Sequence, residues 1–293
     1  CIVIRMKNES IYRQLARRLD ATPQGFPATE SGVELDILAK LFDPQEARLA
    51  SVMRLTPEPH AEIAARLDLD PGDVRRTLKR MAKKRLILIR KLEHGLGYAL
   101  RPFVVGFYEE QIGRMDEELA TLFERYTQET QGMGFPLDEP SIHRVIPIAA
   151  SIDTHLEVFA YEQATQMIAS AKAWGVRKCI CRTQQRLIGH TCGYPLENCL
   201  LFAPVPGAFD HSEITRAITK EEALHILEEA QAAGLVHTTG NYRDGNVYIC
   251  NCCPCCCGVL RGLLEFEIPT AATHADFQAE VNEERCIGCG ECV

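Results

Sequence analysis

The position of the cysteines constrains this chain more than any other feature. Of 14 cysteines in 293 residues, 13 lie between Cys179 and Cys292, and Cys1 alone precedes them. Secreted disulfide frameworks are short and carry cysteines throughout. A long half almost free of cysteine, followed by a dense cluster, is the pattern of metal or cluster ligation. No basic-then-apolar leader occurs, and no run approaches ~18 consecutive apolar residues. The expectation is a cytoplasmic chain without membrane contact, its thiols kept reduced.

The cysteines fall into three groups. The first is Cys179-Ile180-Cys181-Arg182, followed by Cys192 and Cys199. Four thiolates so close in sequence can close one site. Lys178, Arg182 and Arg186 would lower their pKa values and offset their charge. A zinc site with four thiolates uses the same residues, so spacing leaves the metal open. The second group is Cys250, Cys252, Cys253, Cys255, Cys256 and Cys257, six thiols within eight residues. Pro254 forbids a regular helix through it. No four-coordinate site needs six adjacent ligands, so some serve a second site or stay free. The expectation is one or two [4Fe–4S] clusters shared between these two segments.

The third group, Cys286-Ile287-Gly288-Cys289-Gly290-Glu291-Cys292, has ferredoxin spacing. Its glycines permit tight turns and N–H···S contacts, and Ile287 is expected to shield a cluster from water. The fourth cysteine of such a run would fall beyond Val293, so a longer protein is expected. The complete module would hold one or two further cubanes.

Upstream, the patterning is helical. A short helix is expected near Ile11 to Leu19, and Leu35, Leu38, Ala39 and Phe42 recur at helical spacing. Ala61, Ala64 and Leu67 mark another helix. The next has the clearest start: Asp70 as cap, Pro71 in the first helical position, Asp73 in the first turn. Val74, Leu78 and Met81 share one face of it. A strand at Leu86 to Ile89, a turn at Gly95 to Gly97 and a strand at Tyr98 to Leu100 would complete a winged helix-turn-helix. Residues 35–100 carry 13 Lys and Arg against 9 Asp and Glu in a chain of net charge −8. Arg75, Arg76, Lys79, Arg80 and Lys83 lie opposite the apolar stripe, as residues contacting DNA phosphates would. A solvated basic face on a packing module reads the same way and is preferred, since phosphate contacts carry no sequence information.

Residues 104–131 read as one long amphipathic helix with Ile112, Leu119, Leu122, Phe123 and Tyr126 on its apolar face, a linker or a homodimer seam. Arg144 to Ile148 reads as a strand. Residues 154–173 read as a helix stopped by Gly175. Thr219 and Glu222 form a capping-box pair, Gly234 ends the helix they open, and strands follow at Leu235 to Thr238 and Val247 to Cys250. His237 is expected to be a hydrogen-bonded structural residue and His190 a weaker ligand candidate. The fold class is α+β. The expected units are an N-terminal helix and loop (1–33), a winged-helix-like domain (34–102), a helical connector (103–174), a cysteine-rich iron–sulfur domain (175–268) and the start of a ferredoxin module (276–293).

With 46% hydrophobic and 25% charged residues, extensive disorder is excluded. Walker A, G-x-S-x-G and H-E-x-x-H motifs are absent. Three function classes remain: an electron carrier with a redox partner protein, a redox-sensing transcription regulator, and an enzyme with an open iron–sulfur site. Surplus thiolates weigh against the open site.

The sequence resembles ferredoxin-type 4Fe–4S proteins of anaerobic bacteria and archaea that carry an N-terminal winged-helix-like region. The resemblance rests on Ser31-Gly32-Val33-Glu34-Leu35 with Leu41-Phe42, Met81-Ala82-Lys83-Lys84, Arg144-Val145-Ile146-Pro147, Gly234-Leu235-Val236-His237 and the three cysteine groups. It implies 4Fe–4S binding at Cys179, Cys181, Cys192, Cys199, Cys250, Cys252, Cys253, Cys255, Cys256, Cys257, Cys286, Cys289 and Cys292, with electron transfer as the activity. Arg85 stands where the family has glycine.

Overall fold

The computed structural model describes residues 2–132, 141–146, 164–241, 245–273, 284 and 286–288, with side chains from Ile11 onward. The fold is α+β, and every paired strand among the described residues runs antiparallel.

The N-terminal part packs α1 (Ile2–Asp20), α2 (Val33–Leu41), α3 (Pro44–Ala50), α4 (His60–Leu67) and α5 (Pro71–Lys83) against a small sheet. That sheet joins β1 (Glu58–Pro59), β2 (Ile87–Leu92) and β3 (Gly95–Leu100) in the order β1-β3-β2. Asp70 caps α5 by accepting from the Asp73 N–H at 2.9 Å, with Pro71 in the first turn as expected. Val74, Thr77, Leu78 and Met81 are buried on its inner face.

Helix α3 was not foreseen. Its signal is a capping box: the Asp43 side chain accepts from Glu46 N–H, and Glu46 from Asp43 N–H. The hairpin turn falls at Glu93-His94, because Leu92 pairs with Gly95 and β3 begins at the glycine itself. Arg85 adopts φ 59°, the left-handed region where glycine is favoured.

Two sequence expectations are corrected. Residues 104–131 do not form one helix. Val104, Val105 and Gly106 have non-helical backbone angles, and the helix (α6, Glu117–Glu129) starts only where Asp116 accepts from Leu119 N–H. Residues 154–173 also differ. Helix α7 covers Ala164–Ser170, and the chain then becomes strand β5 (Ala173–Lys178); residues 147–163 lie outside the described part. Gly175 is an interior strand residue, paired with Leu201 and Ala217, rather than a helix stop. A Cβ there would lie 2.4 Å from Thr215 Cγ2, so close approach of the neighbouring chain requires glycine.

The second sheet adds β4 (His143–Val145), β6 (Glu197–Ala203), β7 (Arg216–Ile218), β8 (Val236–Gly240) and β9 (Tyr248–Cys252), in the order β4-β8-β9-β6-β5-β7. Helix α8 (Ile180–Leu187) follows β5, α9 (Lys220–Ala232) precedes β8, and α10 (Gly258–Leu264) follows β9. Thr219 caps α9 by accepting from Glu222 N–H, and Gly234 at φ 73° ends it. One apolar core runs from Tyr12 to Ala272 and includes Cys252 and Cys257. The cysteine region is therefore packed against the N-terminal helices. Its aromatic centre joins Phe26, Phe103, Phe107, Phe123 and Tyr126, with Phe26 and Phe103 4.9 Å apart. No described helix is long and apolar enough to cross a membrane.

Candidate metal centre

Strand register brings the first two cysteine groups together. In β6 and β9, Leu200 pairs with Ile249, so Cys199 and Cys250 flank the same crossing. In β5 and β6, Arg177 pairs with Cys199 just before a bulge, and Cys179 follows at the start of α8. In β8 and β9, Val236 pairs with Cys252 and Thr238 with Cys250. Pro254 lies in the turn between β9 and α10, and Cys257 caps α10. Ten thiols from two segments thus meet, and all described cysteines are free of disulfides.

The ten divide by geometry. Cys192, Cys253, Cys255 and Cys256 place their sulfurs within 4.8 Å of one another and could hold a metal ion. The Cys255 and Cys256 sulfurs are 3.7 Å apart. Four thiolates around one ion at ~2.3 Å sit ~3.8 Å from each other, so this group has the size of a tetrahedral S4 site. The remaining six, Cys179, Cys181, Cys199, Cys250, Cys252 and Cys257, line a cavity of about 300 Å³, and Cys253 of the first set lines it too. Each set draws on both segments, as expected.

Arg182 stands between the two sets. It is 3% exposed; its Nη2 donates to Asn198 Oδ1 and to the Asn251 carbonyl, the latter at 3.1 Å. Its Nε and Nη1 are buried without a hydrogen-bond partner. Burial works against its charge, but the Cys179, Cys253 and Cys199 thiols together raise its pKa above the ordinary value. Buried donors facing thiols are what an anionic metal–thiolate or iron–sulfide group requires, so these residues fit such a group. An iron–sulfide group, when bound, would supply one-electron chemistry.

Neighbouring thiols set each other's ionisation. Contacts from Cys181 and Cys199, then the charge of Arg182, hold Cys179 well below the usual thiol range. Cys253 falls to about 5, first through Cys256 and then Arg182. Cys252 falls to about 6 through Cys250 and Cys257, with Thr238 Oγ1 3.4 Å from its sulfur. The thiols beside them, Cys181, Cys199, Cys250 and Cys256, are pushed up in return.

Of the other sequence candidates, Lys178 and Arg186 are exposed, and Arg186 lines a small cleft beside Cys192. His190 is exposed; His237 Nδ1 donates to Asn251 Oδ1 at 2.6 Å, the structural role expected. Cys286 and Ile287 are exposed, and Cys289 and Cys292 lie outside the described residues. On α5, Arg75, Arg76, Lys79, Arg80 and Lys83 are exposed. Arg80 binds Glu46 at 3.1 Å and Asp43 at 3.2 Å, and Arg76 binds Asp73, so part of this charge is neutralised within the fold.

The sequence reading missed Asn198 and Asn251, which hold Arg182, and the cavity residues Glu109 and His143. His143 is buried with Nδ1 unpartnered, and burial lowers its pKa to about 4. Glu109 accepts from Gly106 N–H at 2.6 Å, yet burial raises its pKa from 4.5 to about 7. Its proton is held more tightly in the folded chain. That contribution is full below the unfolded pKa and is lost as pH rises through the folded one. Glu109→Gln is therefore expected to gain on the wild type between about pH 4.5 and 7 and to hold a constant advantage above that. Its size is on the order of 2 kcal/mol after allowance for partial exposure. Urea midpoints of both chains at pH 4.5 and 8 check this; equal differences at the two pH values refute it.

No family model, curated protein or solved structure matches this chain.

Proposed function

We propose that this protein is an iron–sulfur protein that passes low-potential electrons to or from a partner oxidoreductase, as its resemblance to ferredoxin-type 4Fe–4S proteins implies. The observation that carries this reading is the meeting of ten thiols from two segments around buried Arg182. All-sulfur donor sets favour iron–sulfide clusters and other thiophilic metals over hard cations. Cys255 is exposed at one end of the region, which gives a partner close access. Anaerobically purified protein is expected to contain iron and acid-labile sulfide and to show a broad visible absorbance that dithionite bleaches. A preparation containing only zinc overturns the proposal.

A second reading, a redox-sensing regulator, draws on α4, α5 and the β2–β3 hairpin, which suit a winged helix across 34–102. Exposed Arg75, Arg76, Lys79 and Lys83 opposite buried Val74, Leu78 and Met81 favour it. Salt-dependent retardation of genomic fragments, with and without bound cluster, tests it; no binding in either state removes it.

A further inference from the structure

Cys192, Cys253, Cys255 and Cys256 are set apart from the other central thiols by their spacing. Their four sulfurs lie within 4.8 Å of one another, and those of Cys255 and Cys256 are 3.7 Å apart. That spacing separates two kinds of centre. Four sulfurs bonded to one ion at ~2.3 Å form a tetrahedron with edges of ~3.8 Å. A cubane carries one terminal sulfur on each of four irons, so its terminal sulfurs radiate from separate corners. With metal–sulfur bonds of the same ~2.3 Å, they stand on the order of 6 Å apart. The 4.8 Å limit fits the single ion and leaves no room for the body of a cubane between the sulfurs.

The chain builds this group from a turn and a loop. Cys257 N–H donates to the Cys253 carbonyl at 3.2 Å, closing the turn through Pro254 that gathers Cys253, Cys255 and Cys256. Cys192 arrives from the loop between α8 and β6. That loop leaves the helix through Gly189 at φ 88°, and among the described residues Thr191 to Pro195 make no backbone hydrogen bond. Cys253 and Cys256 are buried beside Ala230 and Leu235, and Cys192 and Tyr194 pack against them. A bond from Cys192 to a shared ion would hold the loop where its own backbone does not.

Four thiolates outweigh the charge of one divalent ion. Arg182 is 3% exposed, has Nε and Nη1 without a hydrogen-bond partner, and shares a small cleft with Cys192. Its charge offsets part of that excess. Cys255 is exposed, so an ion reaches the group directly from solvent. Cys253 also lines the large cavity, which puts the ion in the wall of that cavity rather than in its interior.

The geometry points to a mononuclear site at Cys192, Cys253, Cys255 and Cys256 that takes one thiophilic divalent ion of the zinc class and staples the α8–β6 loop to the turn before α10. It departs from the resemblance, which would give these four thiols to 4Fe–4S clusters, and it stands apart from the iron–sulfur reading of the other cysteines. The test titrates the reduced full chain anaerobically with cobalt(II), whose ligand-field bands report a tetrahedral thiolate set. One tightly held ion per chain is expected to give these bands in the wild type. Cys192→Ala and Cys255→Ala, at the two less buried positions, are expected to lower its affinity by more than the ~10–100-fold that loss of a supporting residue costs. Bands absent from the wild type, or persisting in both variants, overturn the site. Hydrogen exchange in the wild type needs no variant: the amides of 191–196 are expected to slow about tenfold or more when the ion saturates the chain. Exchange that ignores the ion overturns the staple. Reconstitution with ferrous iron and sulfide gives a separate readout, in which both variants are expected to match the iron and sulfide content of the wild type. A loss of about four irons in the variants shows cubane ligands and overturns the inference while the iron–sulfur reading stands. A wild type that takes up one cobalt but no iron overturns that reading and leaves this inference standing.

Discussion

Glu124→Ala is expected to lower the unfolding free energy by about 3 kcal/mol or more, the cost of breaking a buried ion pair from one side. Glu124 projects from α6 and receives both Arg261 terminal nitrogens, at 2.8 and 3.0 Å. Gln185 Nε2 donates to it at 2.6 Å and Gln184 Nε2 at 3.3 Å, both from α8. One carboxylate thus ties α6 to α8 and α10, the helices that begin at Cys179 and Cys257. The Arg261 side chain is 8% exposed and that of Glu124 20%, so solvent replaces neither partner well. Burial alone would raise the Glu124 pKa, but hydrogen bonding from Arg261 brings it below the usual range. Arg261 keeps Glu265 at 2.6 Å, which holds the loss toward the lower end of the ~3–5 kcal/mol range. Urea denaturation of the wild type and of Glu124→Ala measures it. A loss below about 1 kcal/mol, the value of a surface pair, refutes the argument.

The parts of this fold legible in the sequence are those set by local chemistry. Asp70 before Pro71, Thr219 before Glu222 and Gly234 after α9 each act within a turn or two of themselves, and each sits where its residue type predicts. The helix expected over 104–131 failed because its apolar residues pack into the core from irregular chain as well as from helix; Phe103, Val104 and Phe107 are buried outside any α-helix. The strand at Ala173–Lys178 was hidden because its glycine answers to Thr215, forty residues away in sequence, as the 2.4 Å approach requires. The meeting of two cysteine segments was legible from their number alone. Their division into four and six was not, since it depends on the register of β6 against β9 and on Cys192 reaching Cys253, Cys255 and Cys256 from a loop.

Arg182→Ala is expected to weaken binding of a thiophilic ion at the four-thiol group by about 10–100-fold, the usual cost of removing a group that supports metal ligands. The guanidinium acts on both thiol sets. It lowers the pKa of Cys253, after the larger effect of Cys256, and contributes to holding Cys179 ionised. Ligation needs thiolates, so a higher thiol pKa means a proton must be displaced for each bond formed. Asn198 and Asn251 fix the position of the charge: Nη2 donates to both, and Asn251 Nδ2 donates to the Asn198 carbonyl at 2.6 Å. This geometry separates charge from shape. Arg182→Lys keeps the positive charge but not the planar fork, and should recover part of the affinity. Anaerobic cadmium titration of the reduced chain, followed by sulfur-to-metal charge-transfer absorbance, reads the affinity directly. The expected order is wild type, then Arg182→Lys, then Arg182→Ala. Equal affinity in all three would mean that Arg182 only fills space between the strands. Loss in both variants alike would assign its role to the fork held by Asn198 and Asn251 rather than to its charge.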